Sequence, residues 1–160
     1  MIFVTVGTQV AFDRMVTVVD EWAGRTGEDV LAQVGPSQGE FPHLRRMAFL
    51  EPSEFDRYFT EACLVIAHAG MGSILSALSY GKPIIIVPRK AALGEHRNDH
   101  QMATAKRFAG KAGVSIAWDE NELATLLDKA DLTTTLDEAA RISGSAPEAF
   151  LRKLRELIDR

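Results

Sequence analysis

LVIAHAGMGSILSALSYGKPIIIVP, Leu64 to Pro88, reads as strand, glycine turn, helix and strand. Leu64 to Ala67 is an apolar run of strand length, and Pro83 to Val87 is apolar throughout and rich in isoleucine. Apolar runs without alternation suit strands covered on both faces, as in a parallel sheet. Between them the spacing predicts a helix from about Ser73 to Tyr80, with Ile74, Leu75, Ala77 and Leu78 on one stripe and Gly81 closing it. This is a βαβ unit. Its first turn, His68 to Ser73, is where chemistry is expected. Gly70 and Gly72 let the backbone approach a ligand closely. The N–H groups of Met71, Gly72 and Ser73 would then stand unpaired at the positive end of a helix, where phosphate binds without a cationic side chain. The same glycines would also serve simple helix–strand packing.

Upstream, Ile2 to Val6 is a first strand ending in Gly7-Thr8-Gln9. A helix is predicted from about Asp13, its capping residue, to Arg25, with Phe12, Met15, Val16, Val19, Trp22 and Ala23 at helical spacing. Asp29 to Val34 is a second strand and Arg46 to Leu50 a third; Ser53 is a candidate cap for a helix to Ala62. Downstream, Arg89 to Arg97 is a long charged loop, and a helix starts at Asn98 or Asp99 and runs to Ala109. Gly113 to Trp118 is a last short strand, followed by a helix capped by Asp119 and reaching Asp128. Asp131 to Pro147 is weakly patterned, and a final helix to Arg160 carries Phe150, Leu151, Leu154, Leu157 and Ile158 on one face. That stripe would pack either on the chain's own sheet or under a partner.

Strands alternating with helices predict an α/β, Rossmann-like parallel sheet with helices on both faces, in one domain over residues 1–160. Ligands of such sheets bind beyond the carboxyl ends of the strands. There the loops at 7–9, 50–51, 68–73 and 88–101 are expected to converge.

The chain has 160 residues, 46% of them hydrophobic, enough for a sizeable core. A net charge of −4 argues against nonspecific nucleic-acid binding. The single cysteine, Cys63, excludes an internal disulfide and reads as a small core residue. No stretch has the length of a membrane-spanning helix, and Met1 leads straight into a strand. The expected location is therefore cytoplasmic, peripheral at a membrane only through a partner. A dinucleotide fingerprint needs three glycines in the first turn and an acidic residue ending the second strand; Gly7 stands alone and Gln33-Val34-Gly35 carries no acid. No phosphate-binding G-x-x-x-x-G-K-[ST] occurs either.

VTVGTQ (4–9), FLEP (49–52), HAGMGSILSALSYGKP (68–83) and GEHRNDHQ (94–101), in that order, resemble the C-terminal, donor-binding half of family 28 glycosyltransferases. The likeness is to short single-domain members, such as the UDP-GlcNAc transferase subunit of dolichol-linked chitobiose synthesis and bacterial exopolysaccharide two-component enzymes. It runs from Met1 to about Ala117. The resemblance implies half of a GT-B fold and inverting transfer from a UDP-sugar to a lipid-diphosphate-linked acceptor. It implies neither a metal nor a cofactor. By position, Gly7, Thr8 and Gln9 would border the diphosphate and the Phe49-Leu50 backbone would meet uracil. Gly70, Met71, Gly72 and Ser73 would hold the α-phosphate, and Asp99, His100 and Gln101 the donor sugar. Many relatives carry a ribose-binding glutamate where Ser76 stands here.

A GT-B enzyme also needs an acceptor domain, so the resemblance implies a separate, membrane-anchored partner subunit that supplies it and the general base. His68 is the weaker base candidate in this chain. His96 and His100, four apart, suggest a metal site only in part, because no further ligand pair completes it. Arg89, Lys90 and Arg97 would either neutralise diphosphate or form an ordinary solvated loop. His43 reads as surface. Two other classes compete: a binding module without chemistry, and a nucleotide-sugar epimerase, which would carry both domains in one chain.

Overall fold

The computed structural model describes residues 1–133. Six parallel strands form one sheet in the order β3-β2-β1-β4-β5-β6. They are β1 (Ile2–Thr5), β2 (Val30–Gln33), β3 (Arg45–Met47), β4 (Leu64–His68), β5 (Ile84–Val87) and β6 (Val114–Ile116). The connecting helices are α1 (Asp13–Thr26), α2 (Pro52–Glu61), α3 (Met71–Ser79), α4 (His100–Phe108) and α5 (Glu120–Asp128). This is the α/β, Rossmann-like sheet expected. The terminal helix placed at Phe150 to Ile158 lies outside the described residues.

Successive side chains of a strand point to opposite faces, and both faces are buried here. Ile2, Val4, Ile66, Ile85 and Val87 pack with Met15, Val16, Val19 and Trp22 of α1 and Leu123 and Leu127 of α5. Phe3, Val65, Ala67, Ile84 and Ile86 pack on the other face with Phe59 of α2, Ile74, Ala77 and Leu78 of α3, and Ala105 of α4. Double coverage is why the strand sequences lack alternation. β3 is the exception: an edge strand whose three residues, Arg45, Arg46 and Met47, are all exposed.

Several boundaries differ from the sequence reading. β3 begins at Arg45 and ends at Met47 rather than Leu50, because the chain turns there and the Leu50 N–H donates to Gln33 Oε1 at 3.1 Å. Phe12, not Asp13, holds the cap position of α1; the Asp13 carboxylate accepts the Ser37 hydroxyl instead. Helix α2 starts at Pro52 with Glu51 at its cap position, so Ser53 lies inside it. Proline suits that first position, where no helical acceptor awaits an N–H. Helix α3 starts two residues early, at Met71, capped by the backbone of Gly70. Asp119 caps α5 as expected, accepting the Glu122 N–H at 2.8 Å. His43 is not idle surface: its N–H and Nδ1 both meet the carboxylate of buried Asp20, at 2.8 and 2.9 Å. Cys63 is only half-buried, at the edge of the core.

Candidate functional site

The strand order reverses between β1 and β4, the point where open parallel sheets bind ligands outside their carboxyl ends. A cleft of about 580 Å³ opens there. Its lining includes Gly7, Thr8 and Gln9 after β1, Leu50 after β3, His68 and Ser73 around the β4–α3 turn, and Gln101 on α4. These loops, far apart in sequence, converge as the doubly wound topology requires. Asp99 and His100 are exposed and outside the lining; Asp99 Oδ1 accepts the Ala91 N–H at 3.0 Å.

The β4–α3 turn is the feature with most binding capacity. The first N–H groups of a helix have no partner within it. Those of Met71, Gly72 and Ser73 donate to no described residue, the first helical bond from this end being Ile74 N–H to Gly70 O at 3.2 Å. Met71 and Gly72 are exposed, and a Cβ at Gly72 would meet nothing within 4 Å. The helix start is thus open, and its amides carry partial positive charge.

His68 lies between two glycines. A Cβ on Gly7, whose φ is +78°, would stand 3.0 Å from His68 Cε1, and one on Gly70 would collide with His68 Nε2. Burial pushes the His68 pKa down to about 4, helped by the positive charge of Arg89. Its Nδ1 is buried and meets no partner at hydrogen-bonding geometry, and the nearby Thr5 backbone only tempers the shift. The ring is neutral at physiological pH.

Two side chains that sequence reasoning missed, or saw only in part, organise the cleft floor. Gln33, buried at the end of β2, accepts the Leu50 N–H and reaches Thr5 Oγ1 and the Gly7 carbonyl with Nε2, both at 3.4 Å. Arg89 is neither a solvated loop residue nor an open cation: it is 3% exposed, its Cζ 4.5 Å from the Phe12 ring centroid. Its backbone N–H donates to Gln101 Oε1 at 3.1 Å. Nearby, Arg14 donates to both oxygens of Glu95, at 2.7 and 3.0 Å, and to Glu120 at 3.1 Å. Burial alone would raise the Glu95 pKa, but the Arg14 hydrogen bond and charge and the Lys90 N–H hold it below the usual carboxylate range. No local sequence pattern signals these contacts, which span up to 106 residues.

His96 also lines the cleft, but among the described residues no group of three His, Cys, Asp or Glu is arranged to hold a metal ion. No described helix is long and apolar enough to cross a membrane.

The model of the glycosyltransferase family 28 C-terminal domain matches residues 1–160. The UDP-N-acetylglucosamine transferase subunit ALG13 of Eremothecium gossypii is 33% identical over 102 residues, covering 63% of this chain and 46% of that protein. The same-named subunit of Candida albicans is 29% identical over 53% of this chain and 27% of its own length. The chain therefore matches less than half the length of these curated relatives. Among solved structures, MurG of Acinetobacter baumannii superposes with a TM-score of 0.69 at 18% identity, over 96% of this chain and 49% of that one. An ALG13 solution structure gives 0.61 at 21% identity, over 96% and 94%. At such identities the structural likeness speaks for the fold, which is that of one half of a GT-B glycosyltransferase. With the sequence match spanning every residue, the chain belongs to the glycosyltransferase family 28 C-terminal domain family.

Proposed function

We propose that this chain is the donor-binding, catalytic subunit of a two-component inverting glycosyltransferase. It binds a UDP-sugar, and the sugar passes to a lipid-diphosphate-linked acceptor in exopolysaccharide or surface-glycan synthesis. The observation that carries this reading is the open start of α3 beside the switch-point cleft, with the N–H groups of Met71, Gly72 and Ser73 unspent. In the reaction a base removes the acceptor hydroxyl proton, and the oxygen attacks the anomeric carbon from the side opposite UDP. The bond from that carbon to the phosphate oxygen breaks, and UDP departs with the electron pair. Charge growing on the leaving diphosphate is what oriented amides stabilise, so the reading calls on no divalent cation.

In this pose the α-phosphate rests on Gly70 to Ser73 and the diphosphate borders Gly7, Thr8 and Gln9. Uracil meets the backbone at Leu50. Gln101, whose Nε2 donates to no described residue, meets the donor sugar, with the exposed Asp99 and His100 just before it in the chain. A membrane-anchored partner subunit would supply the acceptor site and the base, and would hold the complex at the cytoplasmic face. The exposed apolar side chains of Val10, Phe49 and Leu93, on the segments after β1, β3 and β5, and of Met71 at the start of α3 support a partner closing over the cleft. His68 is a poor base, since a group with a pKa of about 4 holds an abstracted proton weakly. That weakness, with Ser76 at the ribose position, favours the second reading, a nucleotide-sugar-binding module without chemistry of its own.

The test is a thermal shift with UDP against NAD, followed by labelled sugar transfer after co-expression with a membrane partner. Saturating UDP at a hundred times its dissociation constant stabilises by about 2.7 kcal/mol. Gly72→Val, at a position where an added Cβ meets nothing within 4 Å, is expected to keep the fold and lose the shift. A full UDP shift in that variant refutes the phosphate site. UDP binding without transfer selects the binding-module reading.

A further inference from the structure

Arg89 takes no part in the chemistry above, yet it is the one cation among the buried polar residues described. Its guanidinium donates to backbone carbonyls: Nη1 to Ala11 at 2.7 Å, Nη2 to Val10 at 2.6 Å and to Val6 at 2.8 Å. A longer bond runs from Nη1 to Glu95 O at 3.4 Å. Three of these carbonyls belong to the segment between β1 and α1. From the other side Gln33 takes the carbonyl of Gly7. The segment is therefore held at both ends by carbonyls, and Thr8 and Gln9 stand exposed between the anchors. The amides of Thr8, Gln9 and Val10 donate to no described residue. A loop fixed before its ligand arrives loses less freedom on binding.

We infer that Arg89 is a positioning residue: its fork of donors holds Val6–Ala11 in the shape that receives a nucleoside diphosphate, and it is not itself a phosphate ligand. The inference rests on the UDP-sugar reading for the identity of that ligand. Two observations separate it from the simpler idea of a cation in the site. Both Nη atoms already donate to carbonyls, and the guanidinium is packed on Phe12. A planar guanidinium serves several carbonyls at once; an ammonium on a flexible stem is a point charge and cannot reproduce that geometry.

Lysine keeps the charge and loses the fork, so Arg89→Lys and Arg89→Met discriminate. In the full chain, amide hydrogen exchange is measured without nucleotide for Val6 and Gly7, whose N–H groups donate to Gln33 O and Thr5 Oγ1, and for β4 and β5, and UDP affinity by calorimetry. Both substitutions are expected to speed exchange at Val6 and Gly7 on the order of tenfold, as loss of charge-assisted bonds implies, while β4 and β5 stay protected. UDP affinity falls by a similar factor in both. Wild-type affinity in Arg89→Lys overturns the inference, because charge alone would then suffice. Faster exchange spread evenly over the chain overturns it too, since that marks a general stabilising role. If neither variant folds, Phe12→Leu removes the ring under the guanidinium. Faster exchange confined to Val6 and Gly7 supports the inference, and unchanged exchange overturns it. If the wild-type protein ignores UDP, the donor reading fails, while the exchange pattern still decides whether Arg89 holds the segment.

Discussion

The imidazole of His68 occupies the space that any side chain on Gly70 would need. Gly70→Ala therefore forces the ring or the turn to move. Overpacking of this kind costs about 1–3 kcal/mol, read as a lower urea midpoint at unchanged slope. In a His68→Ala background the same Gly70→Ala change should cost far less, because the obstruction is gone. Two additive losses in the double-mutant cycle would show that the residues do not compete for space.

The same ring gives a pH signature. An unfolded histidine titrates near ~6.5, whereas His68 in the fold titrates at about 4. Between those values the unfolded chain binds more protons than the folded one. Stability from this group is complete above the unfolded value and is lost as pH falls through the window toward the folded value. His68→Gln should flatten the stability curve across that range. A slope identical to wild type would place the titrating group elsewhere.

Arg14 and Glu95 should matter more than a surface pair. Their side chains are 13% and 12% exposed and make two bonds. Removing one partner by Glu95→Gln is expected to cost about 1–3 kcal/mol. Arg25 and Asp128 are 62% and 54% exposed and 3.5 Å apart. Arg25→Ala should change stability by less than about 1 kcal/mol. Equal effects in chemical denaturation would contradict the ranking.

Gln33→Leu fills similar volume but strands the Leu50 N–H and the Gly7 carbonyl. The cost expected is about 1–3 kcal/mol of stability. Binding of UDP should weaken more than binding of inorganic pyrophosphate, because the base-side backbone at Leu50 loses its anchor. Equal weakening of both ligands in parallel titrations would count against a uracil site there.

Which of these features the sequence displays follows from their range. Leu64 to Ala67 and Ile84 to Val87 are continuous apolar blocks because both sheet faces are covered, so strands, helices and fold class are legible locally. Edge strand β3 has no buried face to impose a pattern, and its limits are misread for that reason. The start of α3 is misplaced because Met71 and Gly72 carry no start signal; an open backbone serves there instead. In the cleft, Gly7, Thr8, Gln9, Leu50, Ser73 and Gln101 are found together as the topology implies. The structural roles of Gln33 and Arg89 are invisible to local reading, since Arg89 meets Val6 across 83 positions and only the folded sheet brings them into contact.

Arg45 and Arg46 also bear on how the molecule stays apart from its own kind. An open sheet border offers unpaired peptide groups on which another chain could lay a further strand. Here that border is only Arg45–Met47 long and starts with two guanidinium groups, one tied to Asp29 and one to the Gly39 carbonyl. Matching two such borders would set positive charge against positive charge, so filament-like self-addition is discouraged at this side.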